Sequence, residues 1–402
     1  MTNAFSQTQA PTQASLDDAL RTELAVLRER DLERTLRTTS RRRGVVVETE
    51  RGTAIDFSSN DYLGLASDQR LAGAAVRAIA EQGIGSGAAR LIAGNNTEHE
   101  ALERAVADFF GAESALTFST GYAANVGMIP AIVGRGDVIF SDALNHASLI
   151  DGCRLSRAAT HVYAHGDPDS LKSLLDQHRH SARRTLIVTD GVFSMDGDTA
   201  PLTAIVDLAH RYDAWTYVDD AHAVGVVGHD GRGSASVAGI QGDIDISVGT
   251  FGKAFGVAGA FVYGSATLTR YLLNRARSFV FSTGVMPAQA AASREALRIV
   301  RAEPELRERL AVNARSLHQS LRDVGIRPIG IETQHILPIV VGDQADTMHL
   351  AAALADHGYL VGAVRPPTVP EGTSRLRITV SAAHTPEHIR GFVGALALAV
   401  RG

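Results

Sequence analysis

Two short segments contain side chains that together could perform covalent chemistry on a carbonyl group. In VDDAHAVG, residues 218–225, Asp219 ends a hydrophobic run and His222 lies three residues further on. In TFGKAFG, residues 250–256, Lys253 lies in a glycine-flanked turn 34 positions after Asp219. A lysine amine can form a Schiff base, and a carboxylate can keep a ring nitrogen protonated so that the ring accepts electrons. Taken separately, a lysine is usually a solvated surface charge, and a strand-end Asp with a nearby His fits a turn or a metal ligand equally well.

A third segment, FSTGYAANVG at residues 118–127, has the pattern of a phosphate-binding turn. A strand-like run ends there, a turn containing Gly121 and Tyr122 follows, and a helical pattern begins. Free backbone N–H groups and the helix dipole attract phosphate at such a helix start. An ordinary helix cap would produce the same sequence pattern.

Two further polar side chains follow predicted strands. His146 in SDALNHASLIDG could stack on a cofactor ring or be a structural histidine, and Ser194 in TDGVFSMDGDTAPL could donate to a cofactor oxygen or close a turn. A pyridoxal 5'-phosphate (PLP) site needs a Schiff-base lysine, a carboxylate at the pyridine nitrogen, and donors at the phenolic oxygen and the phosphate. The ordered combination of these motifs, with Lys253, Asp219 and His222 in the first three roles, predicts PLP as the cofactor and no metal.

These side chains require strands whose carboxyl ends meet at one edge of a sheet. Short apolar runs predict strands, and helical patterns such as HEALERAVADFFG and PLTAIVDLAHRYD lie between several of them. This alternation favours a largely parallel α/β sheet covered on both faces. The predicted strands are SALTFST, DVIFSD, THVYAH, TLIVTD, AWTYVDD, ISVGTF and GAFVYG.

The sequence pattern divides the whole chain into four predicted segments. We expect a disordered polar tail at residues 1–15, an N-terminal helix and arm at 16–55, a large PLP-binding domain at 56–299, and a smaller C-terminal α/β domain at 300–402. The N-terminal helix is predicted from Leu16 to about Arg37. A single long helix is predicted after Pro287, through the sequence ending SLRDVG.

Composition limits the partners and the compartment. With 45% hydrophobic and 21% charged residues, the chain has enough apolar material for a packed core, and its formal net charge of −5 does not favour nucleic acid or an anionic membrane. The polar N-terminus lacks the apolar run of a signal peptide, and no stretch is apolar enough to span a membrane. The only cysteine, Cys153, cannot form an internal disulfide and is expected to be structural. We therefore expect a cytoplasmic enzyme.

Six motifs occur in an order that resembles the α-oxoamine synthases, a branch of the fold-type I PLP-dependent transferases. They are SNDYLGL, NHASLIDG, GVFSMDGD, VDDAHAVG, TFGKAFG and FSTGVMPA, and the resemblance extends from about residue 30 to the C-terminus. It implies a large domain with a mostly parallel seven-stranded sheet, followed by a smaller C-terminal α/β domain.

The resemblance also implies roles for individual residues. Lys253 would form the Schiff base, Asp219 would pair with the pyridine nitrogen, and His146 would stack on the ring. His222 and Ser194 would contact the phenolic oxygen. Three residues would help to bind the cofactor or its phosphate: Gly121, Tyr122 and Thr250. Ser282 and Thr283 would reach the phosphate from the neighbouring subunit, which implies a homodimer with shared sites.

The C-terminal segment VRPPTVPEGTSRLRITVS is similar to the sequences of the branch that condenses L-alanine with a pimeloyl thioester in biotin biosynthesis. In that branch Thr368 would contact substrate, and Arg377 would hold the amino acid carboxylate, a task that suits a planar guanidinium. Arg34, 26 positions before Asn60, matches a substrate-binding arginine, and Asn60 would also face the substrate. The carrier of the acyl group, coenzyme A or a carrier protein, stays open.

Three positions depart from the family pattern, and three other functions stay open. Asp220 replaces a common glutamate, and Val257 and Ala258 replace residues that are more often polar or glycine. The alternatives are another α-oxoamine synthase that uses glycine, such as 2-amino-3-ketobutyrate CoA ligase or 5-aminolevulinate synthase, an aminotransferase, and a noncatalytic cofactor-binding protein. Retention of Lys253 and the lack of a recognisable DNA-binding segment disfavour the last.

Overall fold

A computed structural model describes residues 15–401, and within that range the chain forms helices and strands that alternate through most of its length. The helices are α1 Leu16–Glu29, α2 Gln69–Gln82, α3 Thr97–Phe110, α4 Gly121–Ile132, α5 Ala147–Ser156, α6 Pro168–His178, α7 Leu202–Arg211, α8 Ser234–Val237, α9 Ala266–Arg275, α10 Arg277–Val280, α11 Pro287–Ala302, α12 Glu305–Asp323, α13 Gln344–Asp356 and α14 Pro386–Arg401.

The strands belong to three sheets. They are β1 Thr39–Arg43, β2 Val46–Thr49, β3 Gly52–Asp56, β4 Ser114–Phe118, β5 Val138–Asp142, β6 Ala159–Tyr163, β7 Thr185–Asp190, β8 Trp215–Asp219, β9 Ile246–Thr250, β10 Ala260–Gly264, β11 Ile336–Gly342, β12 Tyr359–Leu360, β13 Gly362–Val364 and β14 Ser374–Thr379.

The central sheet has seven strands in the order β4-β10-β9-β8-β7-β5-β6. Strand β10 runs antiparallel to both of its neighbours, and the pairs from β9 to β6 are parallel. Strands β5, β7 and β9 are buried at every residue, and β5 and β7 accordingly contain the unbroken apolar runs 138–140 and 186–188. The seven strands predicted from sequence are these seven, so the predicted α/β fold is confirmed.

Helices cover both faces of this sheet. On one face α4 and α5 pack through residues such as Met128, Ile129 and Leu149, and Cys153 lies buried among them. On the other face α6 and α7 bury Leu171, Leu175 and their neighbours. Burial also raises the pKa of the Cys153 thiol to about 12, so this cysteine has the inert, structural environment that the sequence predicted.

One of the two smaller sheets joins the N-terminal arm to the C-terminal region. Strands β11, β14 and β13 form one sheet, and the other joins β1, β2 and β3 of the N-terminal arm to β12 near residue 360. Strand β12 pairs in parallel with β3, with Tyr359 opposite Ile55. The arm is therefore a structural part of the C-terminal region, and the domain boundaries stay a proposal.

Two predicted helices end earlier than expected. Helix α1 stops at Glu29, not near Arg37, because Asp31 takes a left-handed conformation with φ 53 and the N–H of Leu32 turns back to the Leu27 carbonyl. The long helix predicted after Pro287 is two helices, because Pro304 has no N–H to continue the hydrogen bonds of α11 and keeps Glu303, with φ −121 and ψ 71, out of the helical conformation.

The predicted disordered tail lies almost wholly outside the described residues. Ser15, its last residue, caps α1 by accepting a hydrogen bond from the Asp18 N–H. Over residues 15–401, none of the helices combines the length and the apolar composition that crossing a bilayer requires.

Candidate active site

Two of the predicted cofactor residues, Asp219 and Lys253, lie where the carboxyl ends of three parallel strands meet. Asp190 ends β7 and lies directly opposite Asp219, which ends β8. Strand β9 is next in the sheet and leads into the turn that contains Lys253. Ligands bind at this edge of open α/β sheets. The tertiary structure therefore gathers residues that are up to 63 positions apart, from 190 to 253, at one edge of the sheet.

The turn around Lys253 is held by its own hydrogen bonds. The Thr250 hydroxyl donates to the Gly259 carbonyl at 2.8 Å and accepts from the Gly252 N–H at 3.1 Å, and the Gly256 N–H bonds to the Lys253 carbonyl. Gly256 has φ +68, and a Cβ there would lie 2.4 Å from the backbone nitrogen of Ala66. Only glycine fits this position without moving the backbone.

The electrostatic surroundings make Lys253 a usable base. Removal of the amine from water lowers the pKa of Lys253 to about 8, while the negative charges of Asp219 and Asp190 oppose the shift. An amine with its ordinary pKa near 10.4 would be almost fully protonated at neutral pH. Burial therefore supplies the lowered pKa that a lysine base needs near neutral pH.

His222 and Arg377 lie in a buried group of polar side chains. The Tyr62 hydroxyl lies 2.7 Å from Nδ1 of His222, and His335 donates from Nε2 to the His222 carbonyl at 3.0 Å. Burial, followed by the positive charge of Lys253, holds the pKa of His222 well below its usual value, so the ring is neutral. Burial likewise lowers the pKa of His335 to about 4.

Arg377 joins the other predicted substrate residues. Its Nε donates to the Ser194 carbonyl at 2.5 Å, and its Nη2 donates to Oδ1 of Asn60 at 3.1 Å. The same Nη2 lies 3.5 Å from the Tyr62 hydroxyl. Ser194, Asn60 and Arg377 come from three separate parts of the chain and meet here, and Ser194 contacts the arginine through its backbone carbonyl.

The start of α4 has the geometry predicted for binding an anion. Thr120 caps the helix through its hydroxyl, which accepts from the Ala123 N–H at 3.0 Å. Gly121 and Tyr122 are the first two residues of the helix, and their N–H groups have no acceptor among residues 15–401. Gly121 lies one turn before Asn125, whose side chain contacts Asp219, so the helix start is close to the cofactor residues. The Tyr122 hydroxyl points elsewhere, to Asp151 at 2.5 Å.

Sequence reasoning missed several residues that organise the site. Asn125 donates to Oδ2 of Asp219 at 2.6 Å, and Ser148 joins Asn125 to His146. Tyr62 contacts His222, and Asp190 accepts the His146 backbone N–H at 2.7 Å. Asn125, Ser148 and Tyr62 lie inside motifs already singled out, and Asp190 ends a predicted strand. No motif contains His335, so no sequence pattern could have identified it.

The predicted phosphate residues Ser282 and Thr283 lie on a loop beside the π-helical turn at residues 90–94. Thr283 bridges to Ala89, and neither hydroxyl has a hydrogen-bond partner in the described part of this chain. Arg90 holds the surroundings of the loop through an ion pair with Glu103. This loop stays a predicted contribution to a second subunit.

Arg34 and Thr368, the remaining predicted substrate residues, are both exposed but lie in neighbouring segments. Arg365 donates to the Glu33 carbonyl at 2.6 Å, and its own carbonyl accepts from the Thr368 N–H at 3.2 Å. Burial lowers the pKa of Arg365, and the positive charge of Arg34 lowers it further. Of the departures from the family pattern, Asp220 is buried and binds Ser234, while Val257 and Ala258 are partly or fully exposed.

The donor set fits PLP. A lysine with a lowered pKa lies beside a buried carboxylate that is held by an amide, a neutral histidine lies near by, and a helix start offers free N–H groups. These are the groups that a Schiff-base carbonyl, a protonated ring nitrogen and a phosphate need.

Comparisons with known proteins agree with this chemistry. The family model described as aminotransferase class I and II matches residues 53–396. An 8-amino-7-oxononanoate synthase from Alkalilimnicola ehrlichii is 51% identical over 345 residues, which are 86% of this chain and 88% of that protein. Another from Geobacter sulfurreducens is 50% identical over 378 residues, which are 93% and 96% of the two chains.

The fold matches a solved relative of different specificity. A serine palmitoyltransferase from S. paucimobilis with a bound PLP–myriocin aldimine superposes with a TM-score of 0.92 and 31% identity, covering 97% of this chain and 99% of the other. The sequence is thus closer to the first group than to this structural neighbour. The chain belongs to the 8-amino-7-oxononanoate synthase family of PLP-dependent enzymes, within the class I and II aminotransferases.

Proposed function

We propose that the chain catalyses the decarboxylative condensation of L-alanine with a pimeloyl thioester to give 8-amino-7-oxononanoate in biotin biosynthesis. A bond forms between the alanine Cα and the thioester carbonyl carbon, the C–S bond breaks and releases the thiol, and the carboxyl group leaves as CO2. Relatives named for this product at 46–51% identity support the substrate choice. The observation that carries the proposal is Lys253, an amine of lowered pKa beside Asp219.

The chain's own groups have separable tasks. Bound PLP would supply the electron sink for the Cα carbanion. Lys253 takes the Cα proton, which its pKa of about 8 permits near neutral pH. Asp219 would hold the proton on the cofactor ring nitrogen, His222 and Ser194 would contact the phenolic oxygen, and His146 would stack on the ring.

Arg377 and Asn60 are proposed to hold the amino acid carboxylate. The guanidinium is already fixed by the Ser194 carbonyl and by Asn60, so little side-chain entropy remains to be lost when substrate binds. A bidentate contact to the carboxylate would orient the Cα–H bond towards Lys253.

The acyl donor is proposed to enter beside Arg34 and Thr368. Both are exposed, and the Arg365–Glu33 contact holds their segments together. The cationic side chains of Arg34, Arg37 and Arg365 act on one another electrostatically, which would favour an acyl group or carrier that bears negative charge. This feature does not distinguish coenzyme A from a carrier protein.

We also propose a homodimer. Four apolar side chains on and beside the Ser282–Thr283 loop are exposed by 45% or more: Leu91, Ile92, Phe281 and Met286. The Ala89–Thr283 bridge places them in one region, and an exposed apolar patch of this kind is typical of a subunit interface. Ser282 and Thr283 would then reach the phosphate bound by the partner. As part of the same proposal the enzyme works in the cytoplasm, because its lone buried cysteine needs no oxidising compartment.

The deciding experiment is a product assay on the PLP-loaded enzyme. L-Alanine and pimeloyl-CoA should yield 8-amino-7-oxononanoate and CO2, identified by mass, and glycine and serine should be much poorer substrates. Lys253→Ala should abolish turnover while leaving the protein folded.

Each alternative outcome points to a different enzyme. Turnover only with glycine and a short acyl thioester would assign another α-oxoamine synthase. Turnover of serine with a palmitoyl thioester would instead assign the activity for which the structural neighbour is named. Amino transfer from alanine without release of CO2 would show an aminotransferase, and normal turnover by Lys253→Ala would remove the basis of the proposal.

A further inference from the structure

One buried amide joins two of the proposed cofactor-binding residues. Asn125 lies on α4 with no exposed surface, and its Nδ2 donates to Oδ2 of Asp219 at 2.6 Å and to the Ser148 hydroxyl at 2.8 Å. Its Oδ1 lies 2.6 Å from the Tyr217 hydroxyl, which donates to it. Both N–H groups and the carbonyl of this amide are therefore hydrogen-bonded. Of the two acceptors, Asp219 is itself a proposed cofactor-binding residue, and Ser148 contacts another, His146.

The hydrogen-bond partners fix the orientation of the amide. A carboxylate accepts hydrogen bonds and cannot donate them, so the NH2 group of Asn125 must face Asp219. The other Asp219 oxygen accepts from the Ala221 N–H at 3.1 Å. Each carboxylate oxygen thus has one protein donor, and each keeps a lone pair that a protonated ring nitrogen could use.

The second bond of the amide reaches His146. Because the Ser148 hydroxyl accepts from Asn125, its own proton is free to point to Nδ1 of His146 at 2.7 Å. The Ser148 backbone N–H points to the same nitrogen at 3.2 Å. Nδ1 of His146 is therefore an acceptor, and a neutral ring must carry its proton on Nε2.

We propose that Asn125 is a positioning residue which, through its single amide group, holds the Asp219 carboxylate ready for the cofactor ring nitrogen and sets the tautomer of His146. Tyr217 is the third member of this arrangement, because its hydroxyl holds the amide from behind. The inference rests on the proposed roles of Asp219 and His146 towards PLP, but it does not depend on the identity of the acyl donor.

The test compares PLP dissociation constants of three variants with that of the wild-type enzyme. Asn125→Ala removes the donor and should weaken PLP binding by about tenfold or more, as expected for loss of one hydrogen bond to a charged group. Asn125→Asp has nearly the same shape but places a second carboxylate against Asp219, so it should bind PLP more weakly still. Tyr217→Phe leaves the amide in place and should have the smallest effect.

Asn313→Ala is the matched control. Asn313 is also a buried amide, and it donates to the Ser381 and His384 carbonyls at 3.0 and 2.9 Å, away from Asp219. This variant should lower the Tm as Asn125→Ala does, yet bind PLP like the wild type. The pH dependence of the visible absorbance of bound PLP should move in the Asn125 variants and stay unchanged in the control.

A second measurement identifies the tautomer of His146 and does not depend on catalytic activity. Nitrogen-15 spectra of labelled histidine should show the proton of His146 on Nε2 in the holoenzyme. In Asn125→Asp the new carboxylate would accept the Ser148 proton, so the His146 Nδ1 signal should shift.

Two results would overturn the inference. Folded Asn125→Ala and Asn125→Asp proteins with wild-type PLP affinity and absorbance would make Asn125 a packing residue, and an Nδ1–H tautomer in the wild type would contradict the role towards His146. If the Asn125 variants do not fold, the nitrogen-15 spectrum of the wild type decides instead, because it needs no variant. A failed pimeloyl assay would contradict only the proposed substrate, whereas a wild-type chain that does not bind PLP would overturn both proposals.

Discussion

The guanidinium of Arg377 contacts the Ser194 carbonyl and the Asn60 side chain, which come from two other segments of the chain. Because it is proposed to bind only the amino acid carboxylate, a small change there should affect amino acid binding selectively. Arg377→Lys keeps the charge but loses the planar fork that contacts the Ser194 carbonyl and Asn60. We expect the KM for the amino acid to rise by about tenfold to a hundredfold, with PLP affinity unchanged, because one charged hydrogen bond to substrate is lost. Steady-state kinetics with varied amino acid measures this.

Arg307→Lys is the control for Arg377→Lys. Arg307 is also buried, but it donates to the carbonyls of His229 and Val300 outside the site. It should change stability and leave the KM unaltered. Equal KM values for Arg377→Lys and the wild type would show that the carboxylate is bound elsewhere.

Among the secondary-structure elements, His165 joins the loop after β7 to the end of β5. His165 contacts Asp142 through Nδ1 at 2.9 Å and Asp198 through Nε2 at 2.8 Å, so both ring nitrogens donate. Hydrogen bonds to Asp142, followed by those to Asp198, raise the pKa of His165 to about 10. The stabilisation from this raised pKa is complete below the unfolded value near 6.5 and is lost as the pH rises through about 10.

His165→Gln, which carries no charge, isolates this effect. Urea unfolding from neutral to alkaline pH should show the wild type more stable at neutral pH and the difference shrinking as the pH passes about 10. Other groups titrate in this range, so the difference between the two proteins is the quantity to compare. A difference that does not change with pH would mean that His165 is not protonated in the native state.

At the scale of the whole molecule, the proposed dimer makes each site depend on two chains. Lys253→Ala and the double variant Ser282→Ala with Thr283→Ala should each be inactive or nearly so. A mixed dimer would contain one site with all residues intact, because the two defects would fall together in the other site. After co-refolding at equal amounts we expect about a quarter of the wild-type activity, since half of the dimers would be mixed and each would have one working site.

Separately purified variants that regain no activity on mixing would place Ser282 and Thr283 in the same site as their own Lys253. The control is wild type refolded with Lys253→Ala, which should lose activity only in proportion to the variant added. Sedimentation of the mixtures would check that dimers form.

Much of the fold could be predicted from the sequence because the strands of the central sheet are short, apolar and bounded by turns. Burial on both faces demands that pattern, so it is visible locally, and all seven strands were found. The end of α1 at Glu29 and the break at Pro304 were missed. The first depends on a left-handed Asp31, and in the second the surrounding helical pattern outweighed the proline.

The chemistry of the site could be predicted from the sequence, because a lysine, a carboxylate and an imidazole in ordered motifs have few common uses. How these groups behave depends on the fold. Burial lowers the pKa of Lys253 to about 8, and Asn125 and Ser148 link Asp219 to His146 across segments that are far apart in the chain. Desolvation and hydrogen-bond geometry depend on which residues the fold brings together, and no local pattern contains that information.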